Sequence, residues 1–99
     1  MTSELHIDGR MLKWKDPEGR IHRDHDKPAL IHANGDMCWY QHGKRHRDDD
    51  LPAIICADGR KAWFQNGLRH RDNNEPAVIW SNEHKEWWQR GKWILSEKL

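Results

Sequence analysis

The chain has 99 residues, 33% of them charged and 35% apolar, with a formal net charge of +1 and a mean hydropathy of −1.16. That length excludes a large enclosed catalytic cavity and allows one small domain or a short array, and near-neutrality gives no general pull toward nucleic acid or membrane. So polar a composition leans toward disorder unless something supplies buried area; the seven tryptophans supply it, because they are large and three of them, Trp39, Trp63 and Trp87, return at fixed spacing.

Taken in order, the N-terminus has neither a basic leader nor an apolar core, and no run approaches membrane-spanning length, so a cytoplasmic protein without a membrane segment is expected. Leu5-His6-Ile7-Asp8-Gly9 matches Ile31-His32-Ala33-Asn34-Gly35, which makes residues 5–18 a half-copy of a motif that follows in full. Counting from Gly9 assigns Trp14 to the slot of Tyr40, Phe64 and Trp88, with Lys13 in the slot of the recurring tryptophan. The turn Asp16-Pro17-Glu18-Gly19 is one residue longer than its counterparts.

Residues 19–42, 43–66 and 67–90 then superimpose at a shift of 24 without a gap: His22/His46/His70, Arg23/Arg47/Arg71, Asp24/Asp48/Asp72, Pro28/Pro52/Pro76 and Trp39/Trp63/Trp87. A fixed period in this range marks a repeat architecture, in which each unit buries its apolar face against its neighbours. Residues 91–99 form a C-terminal cap. Within each copy, Asn34-Gly35 or Asp58-Gly59, then His42-Gly43 or Asn66-Gly67, are expected to close two-residue type I′ hairpins. That register sets Ile55 against Ala62 and Ile54 against Trp63, and gathers Ile54, Trp63 and His70 on one face. Polar connections, Arg23 to Pro28 and its equivalents, lead back into the next strand. The last copy departs from the pattern: Asn82-Glu83 replaces the Asp-Gly turn, and Trp93 and Ile94 stand where Arg and His stood. The expected fold is all-β, an antiparallel meander of about three and a half 24-residue hairpin repeats.

The repeated Gly-x-x-His-Arg-(polar)-Pro-Ala-x-Ile-x-x-(Asp/Asn)-Gly-x-x-x-Trp string resembles the viral, phage and bacterial repeat proteins of MORN-like and YwqK-like type. The resemblance covers residues 5–95 and implies an antiparallel β-hairpin array used for binding, with no shared catalytic residue.

His-Arg-Asp also opens the catalytic loop of protein kinases, but here it occurs at each period without a Gly-rich loop or Asp-Phe-Gly. Copied at every period, His22, His46, His70, Arg23, Arg47, Arg71, Asp24, Asp48 and Asp72 are expected to be scaffold, as are Trp39, Trp63 and Trp87. Equivalent histidines would lie about three strand spacings of ~4.8 Å apart, too far to share an ion, so no metal and no cofactor is expected. Cys38 and Cys56 fall in different slots, lack any zinc spacing, and are expected as small apolar fillers. An active site needs one unique constellation, and every polar triplet here is copied; the chain is therefore expected not to be an enzyme.

What is not copied is the tryptophan-rich end. Trp80, Trp88 and Trp93, with Arg90, Lys92 and, at the other irregular end, Trp14, are the candidate partner-binding residues. The expected function is a protein-binding module, a small viral- or phage-type protein that inhibits or scaffolds a host protein. The alternatives are capture of a nucleotide or short nucleic acid by Trp and Arg surfaces, and self-assembly into a homo-oligomer through the C-terminal end.

Overall fold

A computed structural model describes residues 3–97, in which there is no helix. Residues 1, 2, 98 and 99, the extreme ends of the expected N-terminal segment and C-terminal cap, lie outside the described residues. Strands β1 (Glu4–Asp8) and β2 (Met11–Lys15) are followed by β3 (Leu30–Ile31), β4 (Met37–Cys38), β5 (Tyr40–Gln41), β6 (Lys44–Arg45) and β7 (Ile54–Ile55). Then come β8 (Lys61–Ala62), β9 (Phe64–Gln65), β10 (Leu68–Arg69), β11 (Val78–Ile79), β12 (Lys85–Gln89) and β13 (Lys92–Glu97). Nine of them form one antiparallel, meander-like sheet in the order β1-β2-β3-β4-β7-β8-β11-β12-β13, while β5/β6 and β9/β10 pair as separate two-stranded ladders. Among the described residues, no helix is long and apolar enough to cross a membrane.

The tryptophans explain why the inner strands are so short. Trp39 donates its backbone N–H to Ala53 O at 2.8 Å, in the large sheet, but its carbonyl accepts the N–H of His46 at 3.1 Å, beside the small ladder. The chain bends there, and one extended segment serves two sheets. Trp63 repeats this toward Ala77 and His70, at 2.7 and 3.1 Å. Trp14 does the same toward Ala29 and His22, both at 2.9 Å, which corrects the slot read by counting from Gly9. Trp14 is the equivalent of Trp39 and Trp63, and Lys13 is the equivalent of Cys38 and Ala62. The count failed because β1 and β2 are joined by a tighter turn than the equivalent hairpins at Asn34-Gly35 and Asp58-Gly59, with Asp8 facing Met11.

The expected register is also corrected at the Asp-Gly turns. Ile31 faces Met37 and Leu30 faces Cys38, while Gly35 N–H reaches back to His32 O at 3.0 Å and His32 N–H to Asp36 O at 2.9 Å. The loop has three residues, ending on a glycine at φ 98°, the three-residue hairpin closed by a left-handed residue. Ile55 consequently faces Lys61 and Ile54 faces Ala62, so Ile54 shares no row with Trp63 and His70. At the other turns the two-residue prediction matches: Gln41 faces Lys44 and Gln65 faces Leu68, with His42, Gly43, Asn66 and Gly67 all at positive φ.

The shifted register builds the core. Leu30, Cys38, Ile54, Ala62 and Val78 are successive cross-strand partners and all are buried, with Trp39, Ala53 and Phe64 packed among them. Each of Leu30, Ile54 and Val78 contributes roughly 1.5–3 kcal/mol on the usual area scale. Cys38 fills this row beside half-buried Cys56, and both are free thiols. Ala29, Ala53 and Ala77, each fully buried, stand where the chain re-enters the sheet after the proline. The sheet ends in two free edges, β1 and β13, exposed along their whole lengths.

Candidate functional site

The repeated His-Arg-Asp triplets are consumed inside the molecule. Nε2 of His22, His46 and His70 meets a carboxylate oxygen of Asp24, Asp48 and Asp72 at 2.8, 2.8 and 2.7 Å. Nδ1 of the same rings accepts the backbone N–H of His42, Asn66 and Arg90, each at 3.0 Å. A nitrogen that accepts cannot carry the proton, so each ring is a neutral Nε2–H imidazole donating to its aspartate. The aspartates thus each take a side-chain donor from the histidine two residues before them. His22 is 1% exposed, and His42 stacks on it with ring centroids 4.1 Å apart.

Each arginine of the triplet lies on a tryptophan 8 or 9 positions earlier in sequence. Arg23, Arg47 and Arg71 hold their guanidinium carbons 3.7, 3.8 and 3.9 Å from the ring centres of Trp14, Trp39 and Trp63. Their Nη1 groups donate to the carbonyls of Pro28, Pro52 and Pro76. Arg47 and Arg71 also reach back to Asp26 and Asp50 through Nε at 2.9 Å and Nη2 at 3.3 Å. The hydrogen bond from Arg71 holds the Asp50 carboxyl below its ordinary value. Asp26 and Asp50 are positions that sequence reading passed over. Each also offers its backbone carbonyl to an indole N–H, from Trp39 and Trp63 at 3.1 and 3.0 Å.

A second constellation occurs once. Trp80 follows β11 and donates its indole N–H to one oxygen of Glu86 at 2.6 Å, while Trp88 donates to the other at 3.0 Å. Burial pushes the Glu86 carboxyl up, but the two indole donors outweigh it and leave it below the ordinary value. Arg60 approaches Trp80, and Arg69 lies 5.0 Å from Trp88. Trp93, 56% exposed, faces Trp88 across β12/β13, next to a break in register. The structure therefore brings together Trp80, Trp88 and Trp93. Lys92 opens β13 opposite Gln89, and Arg90 sits in the β12–β13 turn, its N–H bound to His70. Trp14 lies at the far end of the sheet under Arg23. Glu86 and Arg69 were not singled out by sequence; Glu86 stands in the slot of Cys38 and Ala62, and a carboxylate in an otherwise apolar column was the available signal.

Three depressions are lined by equivalent positions 24 residues apart. They are centred on Trp39, Trp63 and Trp87, with volumes of about 250, 210 and 470 Å³. Arg47 and Arg71 line the first two. In the third, Leu95 and Ile94 take the slots of arginine and histidine, and Asn74 that of aspartate.

Chemically, these groups can hold apolar or cationic side chains and accept hydrogen bonds. Among the described residues, no group of three or more His, Cys, Asp or Glu side chains converges as a metal would require. Comparison with protein-family models, with curated proteins and with solved structures finds no match.

Proposed function

We propose that the chain is a non-enzymatic protein-binding module of about three and a half MORN-like hairpin repeats, which acts in the cytoplasm as a viral- or phage-type inhibitor or scaffold of a host protein. One observation carries this reading. Trp93, Ile94 and Leu95 lie in a row on the free edge strand β13, exposed by 56%, 48% and 46%. A contiguous apolar run on an unpaired edge is the kind of surface that proteins either protect or use, and an aromatic anchor beside it suits a protein contact. The covering of Trp14, Trp39 and Trp63 by arginines favours protein binding over base stacking, because those ring faces are already taken.

Affinity capture from bacterial and eukaryotic lysates tests it, with Trp93→Ala as the control. A partner retained by the wild type and lost with the variant is expected; no retained protein, or equal retention by both, overturns the reading. Light scattering across a wide concentration range addresses the self-assembly reading, which a strict monomer excludes.

A further inference from the structure

The third depression is a guanidinium pocket without its guanidinium. Its frame is intact: the indole N–H of Trp87 bonds Asn74 O at 2.9 Å, as those of Trp39 and Trp63 bond Asp26 O and Asp50 O. Gln89 donates to Arg71 O at 2.7 Å, as Gln41 and Gln65 donate to Arg23 O and Arg47 O. What has changed is the lining at two positions. In the first two copies an arginine stacks on the ring and forks onto an aspartate. In the third, position 95 is Leu and position 74 is Asn, so cation and carboxylate have gone together. Trp87 is only half-buried, where Trp39 and Trp63 are each 6% exposed. The chain after Trp93 runs on as β13, where Leu95 faces Trp87 across the ladder, and the depression beside the ring measures about 470 Å³.

We propose that this depression docks an arginine side chain from a partner protein. Its guanidinium lies over Trp87 and donates to the side-chain oxygen of Asn74; its aliphatic stem runs along Ile94 and Leu95. The molecule itself shows twice what this frame binds. Arginine fits better than lysine because a planar fork can stack and donate at once. Asp72 lines the same depression and adds a negative field, though one of its oxygens is held by His70. Leucine at position 95 cannot supply the cation that Arg47 and Arg71 supply in the other two copies. This proposal rests on the protein-binding reading and names the partner's chemistry.

The test is an NMR titration of the full chain with N-acetyl-arginine methylamide, following the indole N–H of Trp87, assigned with Trp87→Phe. A saturable shift with a dissociation constant of millimolar order is expected for one stacked, hydrogen-bonded cation. The lysine analogue should bind several-fold more weakly and the citrulline analogue should give no saturable shift. Asn74→Asp should tighten binding by roughly tenfold, as a charge-assisted bond replaces a neutral one. Leu95→Arg should abolish the shift by filling the pocket from within, and should raise the unfolding temperature, which shows that the variant folds. No saturable shift, an equal response to citrulline, or an unchanged response in Leu95→Arg overturns the proposal. Because the probe is a small molecule, such a failure leaves capture through β13 standing, whereas loss of capture with Trp93→Ala reports on that reading separately.

Discussion

Nδ1 of His46 accepts the backbone N–H of Asn66 at 3.0 Å, a bond that ties the turn of one hairpin to the end of the hairpin before it. The same ring donates through Nε2 to Asp48 at 2.8 Å, so a single imidazole bridges a turn and a loop that no strand pairing joins. His22 and His70 make the same two bonds. With so little strand length per hairpin, these side chains supply the contacts that long ladders supply in ordinary sheets.

The first prediction is the tautomer. Nitrogen-15 spectra of the imidazoles should show His22, His46 and His70 as neutral Nε2–H forms, in contrast to an exposed ring such as His6. Protonation would put an N–H at Nδ1 facing a backbone N–H. A predominant Nδ1–H signal for these three rings at neutral pH would contradict the bridging role.

Removing the ring tests its worth. His46→Ala should destabilise the fold by about 2 kcal/mol, two net hydrogen bonds with some lost packing. His22→Ala should cost more, because His22 is 1% exposed and stacked on His42. Urea unfolding measures both; an His46→Ala midpoint equal to the wild type would show the bridge to be incidental.

Asp16 governs part of the acid response. It is 5% exposed, and its carboxylate meets His42 Nδ1 at 3.0 Å and Arg20 Nε at 2.9 Å. The His42 hydrogen bond, against burial and with help from Arg20, holds the carboxyl well below the usual carboxylate range. As pH falls the unfolded chain therefore takes up this proton first. The stabilisation is complete above the ordinary aspartate value of about 3.9 and drains away as pH drops below it. Asp16→Asn should lower the melting temperature at neutral pH, with its curve approaching the wild type's as pH falls from about 4 to 2. Parallel curves across that range would rule out this role.

Glu83 sits at φ 69°, where the preceding hairpins place Gly35 at φ 98° and Gly59 at φ 99°. A side chain in the left-handed region costs about 1 kcal/mol relative to glycine. Glu83→Gly should recover most of it in thermal unfolding, and Glu83→Ala should not. Equal gains from both would mean the cost arises from the carboxylate and not the backbone.

Much of this was legible from the period alone. The all-β meander and the two-residue turns at His42-Gly43 and Asn66-Gly67 follow from residue types that recur every 24 positions. Two things were not. Asn34-Gly35 is compatible with two- and three-residue loops, and only the pairing of Ile31 with Met37 decides between them; the one-residue slip moved every row drawn through it. The arginine stacks join residues 8 or 9 apart in sequence, and the Arg47–Asp26 pair joins residues 21 apart, and no helical or strand spacing announces either. The third depression was visible in principle, since Asn74 and Leu95 break their columns together, but that pairing has meaning only once Arg47 is seen on both Trp39 and Asp26.

The arginine stack also sets a contest between two interactions at one residue. Arg47, with its side chain 13% exposed, pairs with Asp26, which is 52% exposed, and lies 3.8 Å from the Trp39 ring centre. An ion pair with so wet a partner is worth about 0.5 kcal/mol and fades with salt. A desolvated guanidinium on an indole is worth up to about 2 kcal/mol and depends on planarity. Arg47→Lys keeps the charge and loses the flat fork, so it should destabilise by about 1–2 kcal/mol, and most of that loss should persist at high salt. Arg45→Lys makes the comparison, because its guanidinium stands 5.7 and 5.5 Å from Tyr40 and Phe64 and its loss should be smaller. Urea unfolding of both variants at low and high ionic strength separates the terms. A cost for Arg47→Lys that disappears in salt would assign the arginine to Asp26, and would leave Trp39 held in place by its bond to Asp26 O and its packing alone.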